Sequence, residues 1–125
     1  MPPQRSVAKH VVEIDIDPAA GIITVDLRDN PDCIDAGLNL TEACASANAI
    51  QGVFENLEPD LPANAGSFRR MNILLRENCV VGIPRFPHCC SLATTSIADV
   101  VVNLTQSAFT QLGDGYGMSQ TGISR

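Results

Sequence analysis

His88, Cys89 and Cys90 stand side by side and form the densest group of metal-ligating and nucleophilic side chains in the chain. Two thiolates and an imidazole are three of the four ligands a tetrahedral zinc site takes. Neighbouring side chains diverge, so the remaining ligands would have to come from Cys33, Cys79 or His10. No C-x-x-C pair frames a zinc ribbon or a thioredoxin-like motif. The plainer reading is a pair of thiols packed ahead of a helix. The same residues suggest a Cys–His nucleophile, which needs a lowered thiol pKa and a base within reach. Cys89 and Cys90 lie a few residues before a predicted helix N-terminus, and His88 and His10 are the only imidazoles. Adjacency in sequence does not supply the geometry of a catalytic pair.

Three further groups invite a chemical reading. Gly113-x-Gly115-x-Gly117 has the spacing of a phosphate-cradling loop, but it follows a helix and no Gly-Lys-Ser/Thr accompanies it, which makes it a helix stop. Glu13, Asp15 and Asp26 share an acidic strand face that suits a cation or, more simply, water. Arg69-Arg70 is the only adjacent basic pair, able to grip a carboxylate or phosphate in bidentate fashion or to form a subunit contact. Just before it, Asn64-Ala65-Gly66-Ser67 reads as a turn, with Gly66 free to take positive φ and Asn64 able to bond nearby backbone. None of these is a complete catalytic constellation.

The elements that must position these residues are legible from periodicity. Val12, Ile14 and Ile16 alternate with Glu13 and Asp15, and Ile23, Val25 and Leu27 with Thr24 and Asp26. Two period-two runs around Asp17-Pro18-Ala19-Ala20-Gly21 predict a β-hairpin. Asn39, with Glu42 at capping-box spacing, predicts a helix start. Ala43, Ala47, Ile50, Phe54 and Leu57 predict the buried stripe of a helix over about 40–56, whose many small residues allow close approach to a neighbour. Glu58-Pro59-Asp60-Leu61-Pro62 stops it. Residues 69–75 read as a strand, 79–83 as a short second strand held to an edge by Pro84 and Pro87. Ser96 with Asp99 forms another capping box, and Ile97, Val101, Leu104 and Ala108 mark a helix to about Leu112. The order β-β-α-β-(β)-α implies a small two-layer α+β (α/β) unit, with residues 1–125 as one domain.

Composition narrows the function classes. With 45% hydrophobic and 18% charged residues, the chain has enough apolar content for a packed core. A net charge of −6 and a single lysine argue against nucleic acid and against an anionic membrane surface. No apolar run nears the roughly 20 residues a membrane span needs, and Met1-Pro2-Pro3-Gln4-Arg5 lacks a signal-peptide core. The expected location is the cytoplasm, where an odd set of five cysteines stays reduced.

One ordered set of motifs goes further. Thr24-Val25-Asp26-Leu27-Arg28-Asp29-Asn30-Pro31-Asp32 is followed by Gly37-Leu38-Asn39 and an Ala-rich helix. Then come Leu61-Pro62-Ala63-Asn64-Ala65-Gly66-Ser67-Phe68-Arg69-Arg70, a strand, the loop Gly82-Ile83-Pro84-Arg85-Phe86-Pro87, and Ser91-Leu92-Ala93-Thr94-Thr95 before the helix bearing Asp99. In this order, from Val11 to Gly117, the chain resembles an internal segment of the hydantoinase B/oxoprolinase family, whose relatives include acetone and acetophenone carboxylases. The loop around Pro84–Cys90 is closer to the carboxylase-like branch. The family's His- and Asp-rich metal motifs lie upstream of this segment and have no match here, and ATP handling belongs to the hydantoinase A-type partner.

The resemblance implies a small subunit or split piece of an ATP-dependent hydantoinase, oxoprolinase or ketone-carboxylase complex. ATP and a divalent metal would belong to the larger complex and not to this chain, whose partners would be larger hydantoinase A- and B-type subunits. The chain itself would be a non-catalytic part, with Asn64, Gly66, Ser67, Arg69 and Arg70 at an interface or pocket edge. The alternatives are a freestanding binding or structural domain, and an independent Cys-dependent enzyme or metal protein.

Overall fold

In a computed structural model, the structure describes residues 11–57, 60–90 and 93–111, with side chains in the last run from Ile97 onward. His10, Leu112 and the Gly113–Gly117 loop lie outside the described residues. The elements are β1 (Glu13–Asp17), β2 (Ile22–Asp26), α1 (Glu42–Phe54), α2 (Ala65–Phe68), β3 (Met71–Leu74) and α3 (Ala93–Thr110). The sheet order is β1-β2-β3: β1 pairs antiparallel with β2, and β3 pairs parallel with it. This is the expected small α+β arrangement, with α1 and α3 packed on each other and against the sheet.

The hairpin forms for the reasons its turn residues give. Asp17 Oδ1 accepts from the N–H groups of Ala19 and Ala20 at 3.1 and 3.2 Å. Gly21 takes φ +66°, and its N–H closes the turn on Asp17 O at 2.9 Å. That left-handed geometry suits the residue without a Cβ. The resulting register sets Ile16 opposite Ile23 and Ile23 beside Met71, so one apolar row crosses all three strands. The run 79–83 forms no strand. It makes only isolated bridges, Asp32 with Cys79 and Leu40 with Val81, while Glu77 pairs with Ile83. Its chain doubles back so tightly that a Cβ on Gly82 would lie 2.5 Å from Arg76 O.

Both helices start and face differently from their sequence signals. Thr41, not Asn39, caps α1, its Oγ1 accepting from Cys44 N–H at 3.3 Å. Asn39 is fully buried and acts as a loop staple. Its Oδ1 accepts from Ile34 N–H at 2.9 Å, and its Nδ2 donates to the carbonyls of Ile34, Ala36 and Cys89. The buried face of α1 is Ala45, Ala49, Gly52 and Val53, whereas Ala43 and Ala47 are exposed. Against it lie Ala98, Val101, Val102 and Thr105 of α3. At the crossing a Cβ on Gly52 would sit 2.8 Å from Thr105 Cβ and 2.8 Å from Val102 O. Small residues thus set the helix separation. Ser96 falls inside α3, which already runs from Ala93, so it is not that helix's cap.

A second buried asparagine and one arginine hold the loop after β2. Asn30 Oδ1 accepts from Val11 N–H, and its Nδ2 donates to Val11 O and Leu27 O, each at 2.7 Å. Arg76 donates to the carbonyls of Arg28, Asn30, Glu77 and Asn78, and pairs with Asp32 at 2.9 Å. Guanidinium donors to loop carbonyls stand in for regular structure here.

Candidate functional site

The segment ahead of β3 folds as one capped helical turn. Asn64 is the N-cap of α2, its Oδ1 accepting from Ser67 N–H at 3.1 Å. Ser67 Oγ donates to Pro62 O at 2.6 Å, which fixes the approach of the preceding Pro-containing loop. The expected positive φ at Gly66 is not found; the residue sits inside α2. Its lack of a side chain serves space instead, because a Cβ there would meet Asn64 Oδ1 at 3.1 Å. Phe68 stacks edge-on against Phe54 with ring centroids 5.4 Å apart, tying α2 to the end of α1. Arg70 O then accepts from Ile23 N–H at 2.9 Å, delivering the chain into the sheet beside β2.

These contacts leave a cleft of about 410 Å³ between the β1–β2 turn, the start of β3 and the loop after α1. Its floor is apolar, made by Ile23, Met71, Leu57 and Leu61, and Asn64, Gly66, Ser67 and Arg70 stand along one side. Four of the five residues singled out in the sequence therefore border one cavity. Arg69, the C-cap of α2, is exposed and not among the residues lining it. Arg70 Nη1 donates to Ala20 O at 3.3 Å, so the hairpin turn steadies its guanidinium.

The His88 group lies elsewhere. Asp35, Ala36, Gly37, Pro87, His88 and Cys89 line a second, more polar cleft of about 240 Å³. His88 Nδ1 is buried without a hydrogen-bond partner and sits 3.6 Å from Asp35 Oδ1. Among the described residues no three His, Cys, Asp or Glu side chains come together as a metal site. Cys89 is exposed and Cys90 half-buried. Burial, followed by the neighbouring Cys89 and Cys44, pushes the Cys90 thiol up. Burial also pushes up Cys33, with smaller upward contributions from Cys79, Cys90 and Asp32. Both shifts run against thiolate activation.

The acidic strand face divides in the same plain manner. Asp26 accepts from Arg28 Nε at 3.0 Å and Nη2 at 2.8 Å, and this bidentate pair is the largest cause holding its carboxyl below the usual range. Glu13 and Asp15 are exposed. Sequence reasoning missed Arg76 and the roles of Asn30 and Asn39. Their partners are carbonyls distant in sequence, which no periodicity or spacing marks.

Compared with models of known families, residues 4–122 match the one described as hydantoinase B/oxoprolinase. Neither the curated proteins nor the solved structures contain a match to this chain.

Proposed function

The chain belongs to the hydantoinase B/oxoprolinase family, and from that premise we propose that it is a small subunit or split piece of an ATP-dependent hydantoinase, oxoprolinase or ketone-carboxylase complex. It is part of a hydantoinase/oxoprolinase-type enzyme, and within that enzyme it builds a contact surface and a pocket wall. The observation that carries this reading is the family match over nearly the whole chain, joined to the cleft bordered by Asn64, Gly66, Ser67 and Arg70. Exposed apolar side chains support a contact role: Phe86 is 98% exposed, and Ile16 and Leu61 are about two-fifths exposed. No helix among the described residues is long and apolar enough to cross a membrane, and five free thiols accord with a cytoplasmic setting.

The described residues do not fit either of the groups that the family implies. No ligand set for a divalent metal assembles among them. Arg69-Arg70, of which Arg70 lines the cleft, joins a four-residue helix to a strand, without the strand–Gly loop–helix geometry that cradles nucleotide phosphates. In this reading, as the family resemblance implies, ATP and metal chemistry lies with the larger hydantoinase A- and B-type subunits. Co-expression with those subunits followed by size-exclusion chromatography tests the proposal. Co-elution at a defined ratio is expected, and a chain that elutes alone, ignoring them, overturns it in favour of a freestanding binding domain.

A further inference from the structure

The cleft beside α2 combines an apolar floor with a cationic rim. Its floor of Ile23, Met71, Leu57 and Leu61 is apolar, and Leu61 is 41% exposed. Its rim carries a cation with spare donors. Arg70 has five N–H groups, and among the described residues its guanidinium meets only Ala20 O, with no carboxylate. Arg28, Arg76 and Arg85 pair with Asp26, Asp32 and Glu77, whereas Arg70 and its exposed neighbour Arg69 have no carboxylate partner among the described residues, and of these two only Arg70 lines the cleft. Asp17, the acid opening the adjacent turn, is engaged by the N–H groups of Ala19 and Ala20. On the same rim Asn64 uses its Oδ1 to cap α2, and its Nδ2 has no partner among the described residues.

We propose that this cleft is a binding site for a small monocarboxylate with an apolar body. The body lies on Ile23, Met71, Leu57 and Leu61, and the carboxylate is held by Arg70 with help from the Asn64 amide. The volume, about 410 Å³, falls within the range of small-molecule sites. A guanidinium already steadied by Ala20 O loses less freedom on gripping a carboxylate than an unrestrained one. The charge selects the ligand's sign: on a chain of net charge −6, a cationic rim over an apolar floor favours an anion locally. No covalent step is involved. The inference rests on reading the cleft as a pocket wall, but not on the identity of the complex.

The test titrates the full chain with hexanoate, and separately with hexanamide, following backbone amide shifts by NMR. Hexanoate is expected to bind saturably with a Kd of about 1 mM, moving the signals of Ile23, Arg70 and Met71. The neutral amide should bind at least about tenfold more weakly. Arg70→Gln should weaken hexanoate by a similar factor, Arg70→Lys should retain part of the affinity, and Arg85→Gln should change nothing. Far-UV circular dichroism confirms that each variant is folded. Equal affinity for hexanoate and hexanamide, shifts mapping away from the cleft, or an Arg70→Gln variant that binds like the parent would each overturn the proposal. If co-elution with larger subunits fails while hexanoate still binds, only the complex is lost. If co-elution succeeds and hexanoate does not bind, only the ligand is.

Discussion

Replacing Gly52 with alanine sets helix propensity against helix packing, and the structure says which wins. In a solvated helix Gly→Ala stabilises by about 1 kcal/mol. At Gly52 the new methyl would lie 2.8 Å from Thr105 Cβ and from Val102 O, and 3.2 Å from Gln106 N. Ordinary carbon contacts lie at about 3.5–4.0 Å, and two of the three obstacles are backbone, which no rotamer change can move. Either α1 and α3 part or the side chains around the crossing leave their rotamers. Such overpacking costs up to about 3 kcal/mol. With the propensity gain offsetting about 1 kcal/mol, a net loss of about 2 kcal/mol is expected. Urea unfolding followed by far-UV circular dichroism should show a midpoint lowered by about 1 M with an unchanged slope. Ala47→Gly, at an exposed position of the same helix, supplies the propensity term alone and should cost about 1 kcal/mol. If Gly52→Ala raises the midpoint or leaves it in place, the close crossing of α1 and α3 is wrong.

Two further outcomes follow from buried groups. Asn39→Asp would place a carboxylate against the carbonyls of Ile34, Ala36 and Cys89, which now receive its amide hydrogens. A loss of about 3 kcal/mol or more is expected in the same unfolding assay, and a loss below about 1 kcal/mol would show that the staple is dispensable. For the thiols, iodoacetamide labelling with mass-spectrometric readout should modify exposed Cys89 early and fully buried Cys79 only on unfolding. Because burial raises Cys33 and Cys90, their thiolate fraction at a given pH is below that of a free thiol, so their labelling rates should climb at higher pH than in the urea-unfolded chain. Rates for Cys33 or Cys90 that level off at lower pH than in the unfolded chain would contradict the burial.

Alternation and turn chemistry made the hairpin and β3 legible, because period two is a direct consequence of strand geometry. Asn64 was legible as a residue that bonds local backbone, though the four-residue helix it caps was not, since so short a helix leaves no periodic signal. The candidate site was half legible. Asn64, Gly66, Ser67 and Arg70 stood out by motif order, and the structure adds the floor, Ile23, Leu57, Leu61 and Met71, which comes from β2, the loop after α1 and β3.

The sequence by itself determined the number and type of the main elements, the acidic outer face of the hairpin and membership of a family through the order of its motifs. Only the tertiary structure decided which stripe of α1 is buried. Alanine and glycine bury so little area that two stripes compete on nearly equal terms; α3 settles the choice by approaching where Gly52 leaves room. The tertiary structure likewise turned Asn39 from a cap into a staple, because its carbonyl at Cys89 arrives from 50 residues away. It also placed Arg70 beside Ala20, another partner 50 residues distant, and so made a rim out of what the sequence shows as a turn.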